Sequence, residues 1–166
     1  MDKQFMKEAL IEAGKAYKEM EVPVGAIIVY EGKIIARAYN QREGLRNPLA
    51  HAEIMAINQA SEYLKSWRLH GCTMYVTLEP CAMCAGALVN SRIDRLVIGT
   101  RDLRMGCAGT VEDLTSHEKF NHQIQVVHGV LEEECSRILF EFFRELRAEK
   151  KSLSLKESEP VYKEEN

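Results

Sequence analysis

The chain has 166 residues, 46% of them apolar, and a formal charge of −3. That fits one domain able to bury its own core, and argues against a protein coated in phosphate contacts. Five cysteines are an odd set for a disulfide framework, and the C-x-x-C pair among them points instead to metal or redox chemistry. The charged, amphipathic start MDKQFMKEAL lacks the apolar core of a signal peptide, and no run is long enough to cross a bilayer, so the expectation is a soluble, cytoplasmic protein with no membrane partner.

In chain order, residues 2–20 place Phe5, Met6, Ala9, Leu10, Ala13, Ala16, Tyr17 and Met20 on one face at helical spacing. Pro23 is expected to stop that helix, since proline disfavours helical backbone in the residue before it. VGAIIVY (24–30) and KIIARAY (33–39), around a turn with Gly32, predict an antiparallel hairpin, and NQREGLRNPL (40–49) a polar loop. A helix over about 50–63 should carry Ile54, Met55 and Ile57 inward. TMYVTL (73–78) reads as a strand, and Pro80 opens the next helix, where its missing N–H costs nothing. DRLVIG (94–99) and QIQVVH (123–128) read as further strands. A last helix over 131–149 sets Cys135, Ile138, Leu139, Phe142, Phe143 and Leu146 at helical spacing. From residue 150 the chain is charged and without periodicity, so residues 1–149 are expected to form the domain and 150–166 a disordered tail. Strands alternating with helices predict a layered α/β domain with helices on both faces of one sheet, which the opening hairpin makes mixed.

Two short motifs carry chemistry: His51-Ala52-Glu53, and Pro80-Cys81-Ala82-Met83-Cys84, each at the expected start of a helix. Two thiolates and an imidazole suit zinc, and a C-x-x-C on a first helical turn lets both sulfurs reach one ion. The helix N-terminus there also favours thiolate over thiol. Structural zinc sites close with four protein ligands, whereas His51, Cys81 and Cys84 supply three and leave a position for an activated water. Glu53, two residues from His51, is too close for comfortable joint ligation and well placed to shuttle a proton. Cys72 and Cys107 stand alone beside glycines and read as ordinary thiols, Cys135 as core. His70, His117, His122 and His128 have no ligand-like spacing. Basic residues cluster at Arg37, Arg42 and Arg46, at Arg92, Arg95, Arg101 and Arg104, and at Arg144, Arg147, Lys150 and Lys151; taken alone, each cluster reads first as a solvated face.

H-x-E followed by P-C-x-x-C is the signature of the zinc-dependent nucleobase deaminases. EVPVGAIIV (21–29), HAEIMA (51–56), TMYVTLEPCAMCAGAL (73–88), SRI (91–93), GTRD (99–102) and MGCAGT (105–110) narrow the resemblance further. With the stretch from GTRD to Asn121-His122 and FFR at 142–144, the chain resembles the bacterial tRNA-specific adenosine deaminases of the cytidine deaminase-like superfamily, from about residue 4 to 149. The resemblance implies a three-layer α/β/α fold with a five-stranded mixed sheet, a homodimer, and one zinc ion per subunit on His51, Cys81 and Cys84. It implies hydrolytic conversion of the wobble adenosine of an arginine tRNA to inosine, with Glu53 as the proton shuttle. It further implies that Asn40 hydrogen-bonds the flipped base and that the last helix, around Phe142, Phe143 and Arg144, helps hold the anticodon loop. The nearest rival is a deaminase of a free base or nucleoside, of the guanine or cytosine type, using the same zinc chemistry. A non-catalytic zinc-stabilised subunit has no need of Glu53, and a zinc ribbon lacks its second C-x-x-C.

Overall fold

The computed structural model describes residues 1–157. Helix α1 (Asp2–Lys18) leads into the hairpin of β1 (Gly25–Tyr30) and β2 (Lys33–Tyr39). Then follow α2 (Ala52–Leu64), β3 (Cys72–Leu78), α3 (Ala82–Asn90), β4 (Arg95–Thr100), the short β5 (Gln125–Val127) and α4 (Glu132–Glu157). The five strands form one sheet in the order β2-β1-β3-β4-β5. β1 runs antiparallel to β2 and β3, while β4 is parallel to both of its neighbours, so the sheet is mixed as expected. The hairpin closes through Glu31 at φ 48° and Gly32 at φ 74°, the pair of positive φ values that matches the twist of the flanking strands.

Alternation along the strands sorts the core into two halves. Ala26, Ile28, Met74, Val76, Leu96 and Ile98 face α2 and α3, burying against Ala52, Ala56, Ala60, Leu88 and Val89. Ile27, Val29, Tyr75 and Val97 face the other way, against Met6 and Ala9 of α1 and Cys135 of α4. Helices therefore cover both faces of the sheet, a three-layer arrangement.

Four boundaries or faces depart from the sequence expectation, each for a local reason. The first helix ends at Lys18, because Met20 turns left-handed at φ 59° and the Glu21 and Met20 N–H groups fold back onto the Ala16 and Tyr17 carbonyls. Pro23 follows that stop and does not cause it. The buried face of α2 is Ala52, Glu53, Ala56 and Ala60, with Met55 and Ile57 packed at its margin and Ile54 half-buried. Small alanines let the helix lie close on the sheet, where bulkier side chains would hold it off. The last helix continues past residue 149 to Glu157, so the start of the expected tail is helical; residues 158–166 lie outside the described part. Phe142 is buried, as its place on the apolar face of the last helix predicts, but it lies edge-on to Tyr17 at 5.5 Å between ring centroids, tying α4 to α1 where the resemblance implied a contact with the anticodon loop.

α1 lies so close on β1 that a Cβ at Gly25 would run into the Ala9 carbonyl oxygen and the Ala13 amide nitrogen. Replacing Gly25 with Val should therefore destabilise the protein by about 3 kcal/mol through overpacking of backbone against backbone. Urea denaturation measures this, and an unchanged midpoint would show that α1 can lift off its strand without cost.

Candidate active site

β2 and β3 both pair antiparallel with β1, and β4 pairs parallel with β3. Their carboxyl ends therefore meet at one edge of the sheet, the edge where open α/β sheets place ligands. Both short motifs sit at that edge. His51 is the extended residue that begins α2 (φ −79°, ψ 148°), and Cys81 begins α3 in the same way (φ −71°, ψ 176°). Cys84 follows one turn into α3 and is fully buried.

The folding brings the two motifs together. His51 Nδ1 lies 3.8 Å from Cys81 Sγ and 3.6 Å from Cys84 Sγ. The donor atoms of all three residues fall within 4.8 Å of one another, the one such group of three among the described residues that could hold a metal ion. Cys72, Cys107 and Cys135 are buried free thiols outside it. The pair of sulfurs is poised for ligation: a hydrogen bond from Cys84, reinforced by His51, holds the Cys81 thiol down at about 4. The same contact, with burial, pushes Cys84 up. Cys81 is thus favoured as thiolate with the proton kept on Cys84, and a cation between the sulfurs would displace that proton. Two soft sulfurs and one imidazole nitrogen converging from separate elements fit zinc chemistry.

Glu53 stands in the first turn of α2, 4% exposed. Burial raises its carboxyl to about 7, with the nearby Cys81 thiolate adding to the effect. A carboxyl that exchanges its proton near neutrality, beside three metal-type donors, is equipped for acid–base work.

Above this group opens a pocket of about 220 Å³. His51, Glu53 and Cys81 form part of its lining, together with Asn40 and Arg42 from the chain after β2, Val22 and Val24 before β1, and Asp102 and Met105 after β4. Asn40 is buried at the end of β2 and held there by its own N–H on the Val24 carbonyl. The pocket is small beside those that hold drug-sized ligands.

Phe143 and Arg144 lie exposed on α4 and are not part of this pocket. Sequence reading passed over Glu79, Asp102 and Met105, which also line it. The signal for Glu79 was present as a lone carboxylate between the apolar strand TMYVTL and Pro80. No comparable signal marked Met105. Two of the histidines outside the motif serve the fold: His122 Nε2 is 2.6 Å from the Ile93 carbonyl and His128 Nε2 is 3.0 Å from that of Ala108.

Residues 1–147 match the MafB19-like deaminase family. The tRNA-specific adenosine deaminase of Bacillus subtilis (strain 168) is 54% identical over 151 residues, covering 91% of this chain and 94% of its own. A structure solved in a study of A-to-I editing by tRNA deaminases at the wobble position superposes with a TM-score of 0.79 at 42% identity, over 82% of this chain and 99% of that one. The guanine deaminase of Nitrosomonas europaea shares the fold, with a TM-score of 0.68 at 24% identity over 82% of this chain and 81% of that one. No helix among the described residues is long and apolar enough to cross a membrane.

Proposed function

Because the chain belongs to the MafB19-like deaminase family and to the tRNA-specific adenosine deaminases, we propose that it hydrolyses the wobble adenosine of tRNA, an arginine tRNA in the first instance, to inosine and ammonia. The observation that carries this reading is a three-donor metal group beside a buried carboxyl held near neutrality, at a pocket that His51, Cys81 and Glu53 line. His51, Cys81 and Cys84 would hold one zinc ion per subunit. Bound there, zinc supplies the Lewis acidity that brings the pKa of water down towards neutrality.

Glu53 takes a proton from the water that attacks C6 of the base and gives it to the ring nitrogen. It then takes the proton of the new C6 hydroxyl and gives it to the amine, which leaves as ammonia as the C6 carbonyl forms. Asn40, fixed at the end of β2, hydrogen-bonds the base once it is splayed out of the anticodon loop. Unstacking a loop nucleotide costs little compared with opening a duplex, which suits a pocket with space for a base and not for a paired strand. Phe143 and Arg144 extend the RNA surface along α4, the ring offering a stacking face and the guanidinium a phosphate contact. We read residues 1–149 as the catalytic domain, the working form as a homodimer, and its place as the cytoplasm.

The deciding experiment is incubation with transcribed tRNA, read for A-to-I change at the wobble position, beside free guanine, adenosine and cytidine. Inosine in tRNA and no ammonia from the small molecules is the expected result. Ammonia from a free base alone would establish the rival, a small-molecule deaminase. Phosphate contacts release counterions, so tRNA affinity should fall on the order of tenfold or more between 50 and 200 mM salt. A flat salt response in a filter-binding titration would exclude the basic clusters as the RNA surface.

A further inference from the structure

Glu79 is a carboxylate, 2% exposed, that the chemistry above leaves unused. It follows the last residue of β3 and is separated from Cys81 by Pro80 alone. Its oxygens are fully engaged. Oε1 accepts the N–H groups of Ala108 and Thr110, both at 3.1 Å. Oε2 accepts the Asp102 N–H at 3.1 Å and the Thr110 hydroxyl at 2.5 Å. All of these donors belong to the irregular loop after β4, which wraps around the carboxylate. The wrapping is close enough that a Cβ on Gly106 would fall 2.5 Å from the Glu79 carboxyl.

The loop carries a wall of the pocket. Asp102 accepts the Arg104 and Met105 N–H groups on its own side chain at 2.9 and 3.1 Å, so the placement of the Asp102 amide also sets Met105. Apolar burial cannot hold this turn, since Leu103 is 80% and Met105 59% exposed. Two backbone contacts close the frame: Glu79 N–H donates to Thr100 at 2.9 Å and Cys107 N–H to Pro80 at 2.8 Å. We propose that Glu79 is a positioning residue for the substrate: its carboxylate locks the 102–110 loop as a pocket wall, in register with the Cys81 end of the metal group. Only the kinetic consequence rests on the tRNA deaminase reading; the ordering of the loop does not.

Glu79→Gln keeps the shape but turns an amide donor toward donors it cannot accept. In the full-length, metal-loaded protein, hydrogen exchange at the Asp102, Ala108 and Thr110 amides should quicken about tenfold or more. KM for tRNA should rise about tenfold while kcat stays within about threefold and metal content is unchanged. Thr110→Val keeps the amide contact but removes the hydroxyl that donates to Glu79 and accepts from the exposed Arg101 at 3.1 Å, and should shift the same readouts in the same direction by about threefold. Unchanged exchange and KM in Glu79→Gln would overturn the proposal. So would a fall in kcat at constant KM, which would place Glu79 at the reacting atoms. If Glu79→Gln fails to fold, Thr110→Val decides by the same two readouts. If the unaltered protein deaminates no tRNA adenosine, the functional reading fails, while the exchange measurement still judges the lock.

Discussion

Glu53→Gln loses deamination of tRNA while keeping its metal: kcat falls by about a thousandfold or more, the larger part of what a positioned acid–base group supplies. Glutamine fills the same space in the first turn of α2 and leaves His51, Cys81 and Cys84 as they are, but it cannot carry a proton between water, ring nitrogen and amine. Glu53→Ala should behave alike, which separates loss of the proton carrier from a steric effect. A second, independent sign follows from linkage. Burial raises the Glu53 carboxyl from 4.5 to about 7, so the folded state favours the protonated form. The stability this contributes is complete below about 4.5 and is lost as pH rises through about 7. In metal-stripped protein, stability should therefore decline across that window, and Glu53→Gln should flatten the decline. Near-normal turnover by either variant, with inosine read directly in the tRNA, would remove Glu53 from its role.

What was legible in the sequence was whatever depended on neighbours in the chain. The strands, the hairpin turn and the H-A-E and P-C-x-x-C motifs all announce themselves within a few residues. His51 and Cys81 converge because each motif starts a helix at the same sheet edge, and strand–helix alternation already predicted such an edge. Glu79 stands out in the sequence only as a lone carboxylate after an apolar strand; its role is not legible there, because the amides it binds lie more than twenty residues further along and meet it only after β4 is laid beside β3. The inward face of α2 was misjudged for a related reason. Hydrophobicity favoured Ile54, whereas close approach to the sheet selects the alanines. Phe142 was grouped with exposed neighbours as an RNA contact, and its real partner, Tyr17, comes from the opposite end of the chain. In each case the deciding contact is tertiary, and hydrophobicity along the chain does not name the partner.

Cys84→Ser should abolish metal binding and activity together, in contrast to the Glu53 variants, which lose activity alone. The Cys84 sulfur is fully buried and 3.6 Å from His51 Nδ1, so no solvent-borne group can replace it as a donor. A serine hydroxyl is a harder and far less acidic donor than a thiol, and two remaining protein ligands do not make a stable zinc site. Elemental analysis should fall from about one zinc per chain to near zero, measured after dialysis at equal protein concentration. Stability supplies a check that needs no substrate. A ligand that binds only the folded chain stabilises it by about 4 kcal/mol at a thousand times its Kd. Added zinc should therefore raise the denaturation midpoint of the metal-stripped parent protein and leave that of Cys84→Ser unmoved. Adding zinc back should also restore deamination to the stripped parent and not to the variant. Full zinc content in Cys84→Ser would move the ligand set elsewhere. Cys107 would then be the residue to replace next, since it is buried and its backbone N–H donates to the carbonyl of Pro80, the neighbour of Cys81, at 2.8 Å.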